Sequence, residues 1–277
     1  MSNPSGDRQS TPPPGDAEGR FAAARLEALG LIKAYGRIPV LRDVSLAVEP
    51  GESHVVIGPN GAGKTTLFKV LTGELVADRG QVRFAGKDLG RMPAHARVHR
   101  GFGRTFQVAK VFTGLSVRDN LRVALEARER RARPWRGISR ATARGFEEAM
   151  PQLLADTGFA GRPDVSAGSL PYGDRKRLEL AMVLALQPTI LFLDEPTAGM
   201  SAAERQATVT LLNAVRQRHR LSMLLTEHDM DVVFGLADRI SVLHHGELIA
   251  SGTPAQIRAD ARVQEVYLGA EEDMAHA

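Results

Sequence analysis

Cysteine is missing altogether from this 277-residue chain, tryptophan occurs once, and aromatic side chains make up only 5% of it. The lack of cysteine excludes a disulfide framework and any thiolate-ligated metal, and is compatible with a reducing compartment. Long apolar runs are missing too. The longest, such as Ile190 to Leu193, are strand-sized, whereas a membrane-crossing helix needs about 18 to 20 apolar residues. Met1 to Arg20 is rich in Ser, Pro, Gly and Asp and lacks the apolar stretch of a secretory signal. We therefore expect a soluble chain with disordered tails over 1–24 and 270–277, and any membrane role supplied by a partner. Charge of one sign is also scarce: 36 basic against 32 acidic residues leave a net charge of +4. That excess permits a nucleic-acid or anionic-membrane partner without demanding one.

What is present is a core-forming composition, 43% hydrophobic, patterned from about Leu26 onward. Up to about Arg104, short apolar runs alternate with turn residues. Val40–Val48 and His54–Ile57 read as strands; a helix and a hairpin-like stretch around Gln81–Phe84 follow, then the turn residues Gly86–Asp88. Val117 to Ala160 is helical and charged. Ser116 with Asp119 three residues on resembles a capping box, and Pro134, Gly137 and Gly145 interrupt the region. Leu178, Ala181, Met182, Ala185 and Leu186 keep helical spacing until Pro188, and Thr189–Leu193 is a buried strand. A helix over Ala202–Arg218 and strands over Leu221–Thr226 and Ile240–Leu243 come next. This alternation predicts an α/β fold with a parallel, helix-covered sheet, the helical middle inserted as a subdomain.

Directly after the apolar run Val55-Val56-Ile57 stand Gly58, Pro59, Asn60, Gly61, Ala62, Gly63, Lys64, Thr65 and Thr66. This is G-x-x-x-x-G-K-T in the strand–loop–helix setting that a phosphate loop requires. Glycines let backbone N–H groups turn toward a polyphosphate, and the following helix N-terminus adds a field that favours anions. Lys64 would reach the β- and γ-phosphates of ATP, and the Thr65 hydroxyl would hold Mg²⁺. Residues 190–195 read ILFLDE, an apolar strand ending in two acids. Asp194 can complete the Mg²⁺ site, and Glu195 can polarise an attacking water as general base. Gly173, within Leu170 to Ala181, would offer bare backbone N–H groups at a helix start; taken alone, it reads as an ordinary helix N-terminus.

Together these residues resemble the ATP-binding-cassette (ABC) ATPases over nearly all of 26–269. The resemblance implies a P-loop core with an antiparallel β edge subdomain, and a helical subdomain at about 112–168, within one cassette domain over 25–269. Leu170, Gly173 and Asp174 take the first, fourth and fifth places of that family's LSGGQ signature, while Pro171 and Tyr172 depart from the second and third. The family's second-place serine contacts the γ-phosphate of ATP bound to the opposite subunit; Pro171 cannot. The resemblance further implies that Tyr35 stacks on adenine, and that Gln107, in RTFQ, joins Mg²⁺ and water to a membrane partner. His228, in TEHD, would sense the γ-phosphate, and Ala198 to Ser201 would form the loop that crosses the dimer interface.

GFGRTFQ, TEHDMDVVFGLADRI, GTPAQIR and VQEVYLG are similar to the larger ATPase type of bacterial branched-chain amino acid importers. The expected partners are transmembrane permease subunits, a second and different cassette, and, indirectly, a periplasmic solute-binding protein. The expected location is the cytoplasmic face of the inner membrane. Relatives that serve urea or short amides share these phrases, and Val266 to Gly269 also occurs in lipopolysaccharide-export ATPases, so these stay open. A cassette acting on DNA would need a coiled coil or zinc hook, and a ribosomal one usually carries two cassettes per chain. No nucleic-acid partner is expected. Seven arginines between Arg128 and Arg144, with Trp135, invite a headgroup or nucleic-acid reading. The neighbouring Glu126, Glu129, Glu147 and Glu148 favour a solvated loop instead.

Overall fold

The computed structural model describes residues 24–105, 108–133, 135 and 137–266. Most of both expected tails, Gln107, and the last residues of VQEVYLG lie outside that set. From the N-terminus, β1 (Leu26–Tyr35) and β2 (Ile38–Val48) form a hairpin, and β3 (Ser53–Ile57) leads into α1 (Lys64–Thr72). Then come β4 (Arg79–Phe84), β5 (Lys87–Asp88), α2 (Ala94–Val98) and β6 (Phe102–Arg104). The helical middle holds α3 (Val117–Ala132), α4 (Arg140–Asp156), a single 3₁₀ turn (Ala167–Ser169) and α5 (Tyr172–Ala185). Afterwards β7 (Ile190–Asp194), α6 (Ala202–His219), β8 (Ser222–Thr226), α7 (Met230–Leu236), β9 (Arg239–His244), β10 (Glu247–Gly252) and α8 (Pro254–Ala259) follow.

The strands form two sheets, a four-stranded antiparallel one ordered β2-β1-β4-β5 and a six-stranded one ordered β10-β9-β3-β8-β7-β6. In the larger sheet β9, β3, β8, β7 and β6 run parallel, and β10 pairs antiparallel at one edge. Every residue of β3 and β8 is buried, as expected of parallel strands covered on both faces. Side chains alternate between the faces. Val56, Phe192, Leu224 and Leu243 point to one side, where they join Phe68 of α1 and the antiparallel sheet's Leu26, Leu41 and Phe84. Val55, Ile57, Leu191, Leu193 and Leu225 point to the other, where α6 and α7 contribute Leu212, Val215 and Val233. Phe192 is fully buried, with Phe102 stacked at 5.2 Å and Phe68 edge-on at 6.0 Å. Such a side chain contributes about 1.5–3 kcal/mol by burial alone.

A third core belongs to the helical middle, where Val117, Leu121 and Leu125 of α3 meet Phe146, Met150 and Leu154 of α4. Helix α5 serves two cores. Leu178, Ala181 and Ala185 pack into the helical unit, while Leu180 and Leu184 pack against the large sheet. The packing of the helical unit therefore continues past 168 into α5. Ser116 caps α3 by accepting from the Asp119 N–H, and Ser201 and Glu204 make a full capping box on α6. Trp135 stands 98% exposed between α3 and α4, but Arg128 and Arg131 are half-buried and donate to the Ala185 and Val98 carbonyls, so the arginine-rich stretch is solvated only in part.

Candidate functional site

In an open parallel sheet, ligands gather outside the carboxyl ends of the strands. Here β3, β8 and β7 are neighbours, and their last residues open into the three loops that the sequence singles out. The first, after Ile57, is pressed against the rest of the core. Gly58 has φ +153°, and a Cβ there would sit 2.0 Å from the Leu243 carbonyl oxygen; Gly63 has φ +107°, and its Cβ would meet the Val40 carbonyl at 2.8 Å. Only glycine fits either position. The turn between β9 and β10 grips the loop further: Gly246 N–H donates to the Ala62 carbonyl at 3.0 Å, and Arg42 N–H to the Gly246 carbonyl at 2.8 Å. Helix α1 then starts with no side-chain cap and no acidic residue in its first turn, so its N-terminal field remains available to an anion.

Lys64 folds back over this loop, its Nζ donating to the carbonyls of Gly58 at 2.6 Å and Pro59 at 3.1 Å. Partial burial holds its ammonium pKa below the ordinary lysine value, against the opposing pull of the Glu195 and Asp194 carboxylates. Those three side chains thus share one electrostatic site. Thr65 is exposed and Thr66 buried, so of the two hydroxyls it is Thr65 that a ligand can reach.

Asp194 ends β7 opposite Thr226, the last residue of β8. The Thr226 hydroxyl donates to Asp194 Oδ1 at 2.8 Å. Arg104, from β6, brings Nη2 within 3.8 Å of Asp194 Oδ2 while Nη1 bonds Glu74 and the Thr72 hydroxyl. Glu195 follows in left-handed backbone, φ +46°, a conformation that costs a non-glycine residue about 1–3 kcal/mol. Thr226 holds it there, its carbonyl and its hydroxyl both accepting from the Glu195 N–H, at 3.1 and 3.2 Å. His228, two residues past β8, is exposed. Its N–H donates to Glu227 at 3.2 Å, and the next residue, Asp229, caps α7.

Lys64, Asp194, Glu195 and His228 are therefore collected at one sheet end. Tyr35 is the half-exposed last residue of β1, on the antiparallel sheet. Gly173, in the first turn of α5, is exposed, and a Cβ there would meet nothing within 4 Å. With Pro171 and Tyr172 it lines a cleft of about 830 Å³ whose far wall includes Pro196, Ala198 and Met200. No phosphate-loop residue lines that cleft, so among the described residues Gly173 does not complete the phosphate site of its own chain. Arg104, Thr226 and Glu227 join the site although the sequence reading assigned them no role. Arg104 lies inside the quoted GFGRTFQ phrase, and Thr226 ends an apolar run, but their contacts depend on neighbouring strands.

The described residues contain no group of three His, Cys, Asp or Glu able to hold a metal. A Mg²⁺ at Thr65 and Asp194 would complete its shell with water and phosphate oxygens, the usual pattern for Mg²⁺. The residues present fit that ion.

A phosphate loop and paired acids on a parallel sheet, with an antiparallel sheet and a helical unit attached, define an ATP-binding cassette. The chain belongs to the ABC transporter family, whose match spans residues 41–198, and is an ATP-hydrolysing subunit of that kind. A second family, described as the branched-chain amino acid ATP-binding cassette transporter, matches residues 247–273. The chain is 37% identical over 252 residues to the high-affinity branched-chain amino acid transport ATP-binding protein BraF of Pseudomonas aeruginosa, covering 88% of this chain and 97% of that one. It is 36% identical over 249 residues to the corresponding protein LivG of Escherichia coli K12, with the same coverage. To the lipopolysaccharide export ATP-binding protein LptB of Acidithiobacillus ferridurans it is 35% identical over 244 residues, covering 88% and 96%. Among solved structures, an ATP-binding cassette of an ABC transporter in its ADP conformation superposes with TM-score 0.74 at 28% identity, covering 89% and 99%. A nucleotide-free cassette superposes with TM-score 0.73 at the same identity, covering 88% and 98%.

Proposed function

We propose that this chain powers uptake of small solutes, branched-chain amino acids foremost, from the cytoplasmic face of the inner membrane. The observation that carries the cargo is the branched-chain amino acid family match over 247–273, supported by the names of the two relatives above. In this reading the backbone of Gly58 to Thr66 wraps the phosphates, and Lys64 exchanges the carbonyls of Gly58 and Pro59 for β- and γ-phosphate oxygens. Tyr35 stacks on the adenine. Thr65 and Asp194, with Gln107, would hold Mg²⁺, which when bound neutralises charge on the phosphates. Glu195 takes the proton of the water that attacks the γ-phosphorus as the bond to ADP breaks, a role worth about 10² to 10⁴ in rate. His228 donates to the γ-phosphate.

Gly173 serves the ATP of a second cassette, which accounts for its open backbone and for its place in a cleft that no phosphate-loop residue lines. Because Pro171 offers no hydroxyl there, the second cassette is a different chain carrying a complete signature. Transmembrane permease subunits dock against the region from 107 to 118 together with part of the helical insert, a periplasmic binding protein delivers the solute, and no nucleic acid takes part.

Deleting the gene is expected to reduce accumulation of labelled leucine, isoleucine or valine, and Glu195→Gln is expected not to restore it. Unchanged uptake of all three, with lost uptake of urea or an amide, would overturn the cargo while leaving the motor. The likeness to LptB supports a second reading, lipopolysaccharide export, which predicts an outer-membrane defect in place of an uptake defect.

A further inference from the structure

Glu227 is a fully buried carboxylate (0% exposed) that the mechanism above leaves without a task. Burying a carboxylate is costly unless its oxygens are satisfied, and among the described residues it forms no ion pair. Its satisfaction comes instead from two different loops, one for each oxygen. Oε1 accepts from Thr197, both from the backbone N–H at 3.0 Å and from the hydroxyl at 2.6 Å. Oε2 accepts from the backbone N–H of His228 at 3.2 Å. Thr197 is itself buried and lies two residues after Glu195, in the segment leading to Met200.

A second strut runs beside the first. Arg205 of α6 donates from Nη1 to the Met200 carbonyl at 2.8 Å and pairs through Nε with Asp229 Oδ2 at 3.0 Å. Residues 197 and 200 are therefore each tied to residues 227–229 by a charged, short-range link. Only a carboxylate offers two acceptor oxygens in so small a rigid plane. A glutamine of the same size has one acceptor and would turn an NH₂ group toward a donor on one side or the other.

We propose that Glu227 is a positioning residue that makes the loop over 196–200 and the histidine at the end of β8 move as one body. Seating a second cassette on that loop then sets His228 for hydrolysis, and a cassette alone leaves it unset. This rests on the reading of His228 as the γ-phosphate sensor and of the 198–201 loop as the dimer contact. It adds that the two are joined within one chain, through a carboxylate that touches neither substrate nor metal.

The test uses the full-length chain assembled with its second cassette, measuring steady-state kcat and KM for ATP and equilibrium binding of a fluorescent ATP analogue. Glu227→Gln is expected to lower kcat about tenfold, the worth of one hydrogen bond to a charged group, with KM and nucleotide affinity within about twofold of the parent. Thr197→Val, which keeps shape and removes the hydroxyl, should lower kcat in the same way, and Thr197→Ser should recover most of the loss. This second pair stands if Glu227→Gln does not fold. The decisive comparison is the cycle with His228→Ala. If Glu227 acts through His228, Glu227→Gln adds little to a chain already lacking the imidazole. An equal fall in kcat with and without His228 overturns the proposal, as does parental kcat in both Glu227→Gln and Thr197→Val. Parental kcat in His228→Ala alone is a separate result, which removes the sensor reading itself.

Discussion

The phosphate loop and the turn at Gly173 both present bare backbone to a phosphate, yet the core holds them in opposite ways. At Gly58 the carbonyl of Leu243 leaves no room for a Cβ, and Ala62 is gripped by the β9–β10 turn. At Gly173 nothing lies within 4 Å, and its neighbours Pro171 and Tyr172 are exposed. One half of the site is finished when the chain folds. The other is a surface that gains its partner only from outside the chain, which is why the left-handed Glu195 and the glycines that no side chain could replace stand on the first half.

The largest effects should come from the finished half. Lys64→Ala is expected to abolish ATP binding in calorimetry. Glu195→Gln should keep binding, lower turnover by about 10² to 10⁴, and accumulate a closed dimer in gel filtration. Equal ATPase rates for Glu195→Gln and the parent would take the base role from Glu195.

Next come the two glycines. Gly58→Ala is expected to destabilise the chain by about 2–4 kcal/mol in urea titration, from backbone strain and a clash with Leu243. Gly173→Ala should leave stability within about 0.5 kcal/mol while lowering the ATPase rate of the assembled pair. Equal destabilisation at both positions would erase the contrast.

Pro171→Ser sharpens it from the other side. By supplying one hydroxyl to the partner's ATP, it should raise ATPase activity of this chain on its own by about fivefold, roughly one hydrogen bond. If the unmodified chain alone, with its permease, already matches a mixed complex, the pairing with a different cassette is wrong.

The smallest effect concerns the join between helical unit and core, where Asp156 of α4 accepts from Gln152 at 2.6 Å, His219 at 2.9 Å, and Arg218. Burial pushes this carboxyl up, but the three donors outweigh it and hold its pKa below the ordinary value. The stabilisation is therefore complete above the unfolded-state pKa of about 4 and lost as pH falls through the lower folded value. Asp156→Asn should cost about 1–3 kcal/mol near neutrality, with the difference from the parent shrinking in acid. A gap that stays constant down to acid unfolding would assign the loss to packing.

The phosphate loop, Asp194 and Glu195 were legible in advance because their chemistry is written locally: an apolar run, a glycine pattern, then Lys64, or an apolar run and two acids. The long helices and the buried strands were legible for the same reason, through periodicity. Short elements were not. β6, α2, α7 and α8 span only 3 to 7 residues each, too few for a period to show, and the edge strand β10 mixes buried and exposed positions. Gln107 lies outside the described residues, so its role remains a proposal.

By itself, then, the order of residues determined which loop takes phosphate and which acids end the strands, since backbone freedom at glycine and side-chain charge are properties a residue carries anywhere. Only the tertiary structure decided that Thr226 steadies both Asp194 and Glu195 and that Arg104 balances Asp194. Only it decided that Glu227 gives one oxygen to Thr197 and the other to His228. Apart from the adjacent His228, those contacts join residues 30 or more positions apart, and they exist because parallel pairing of β6, β7 and β8 brings their strand ends together.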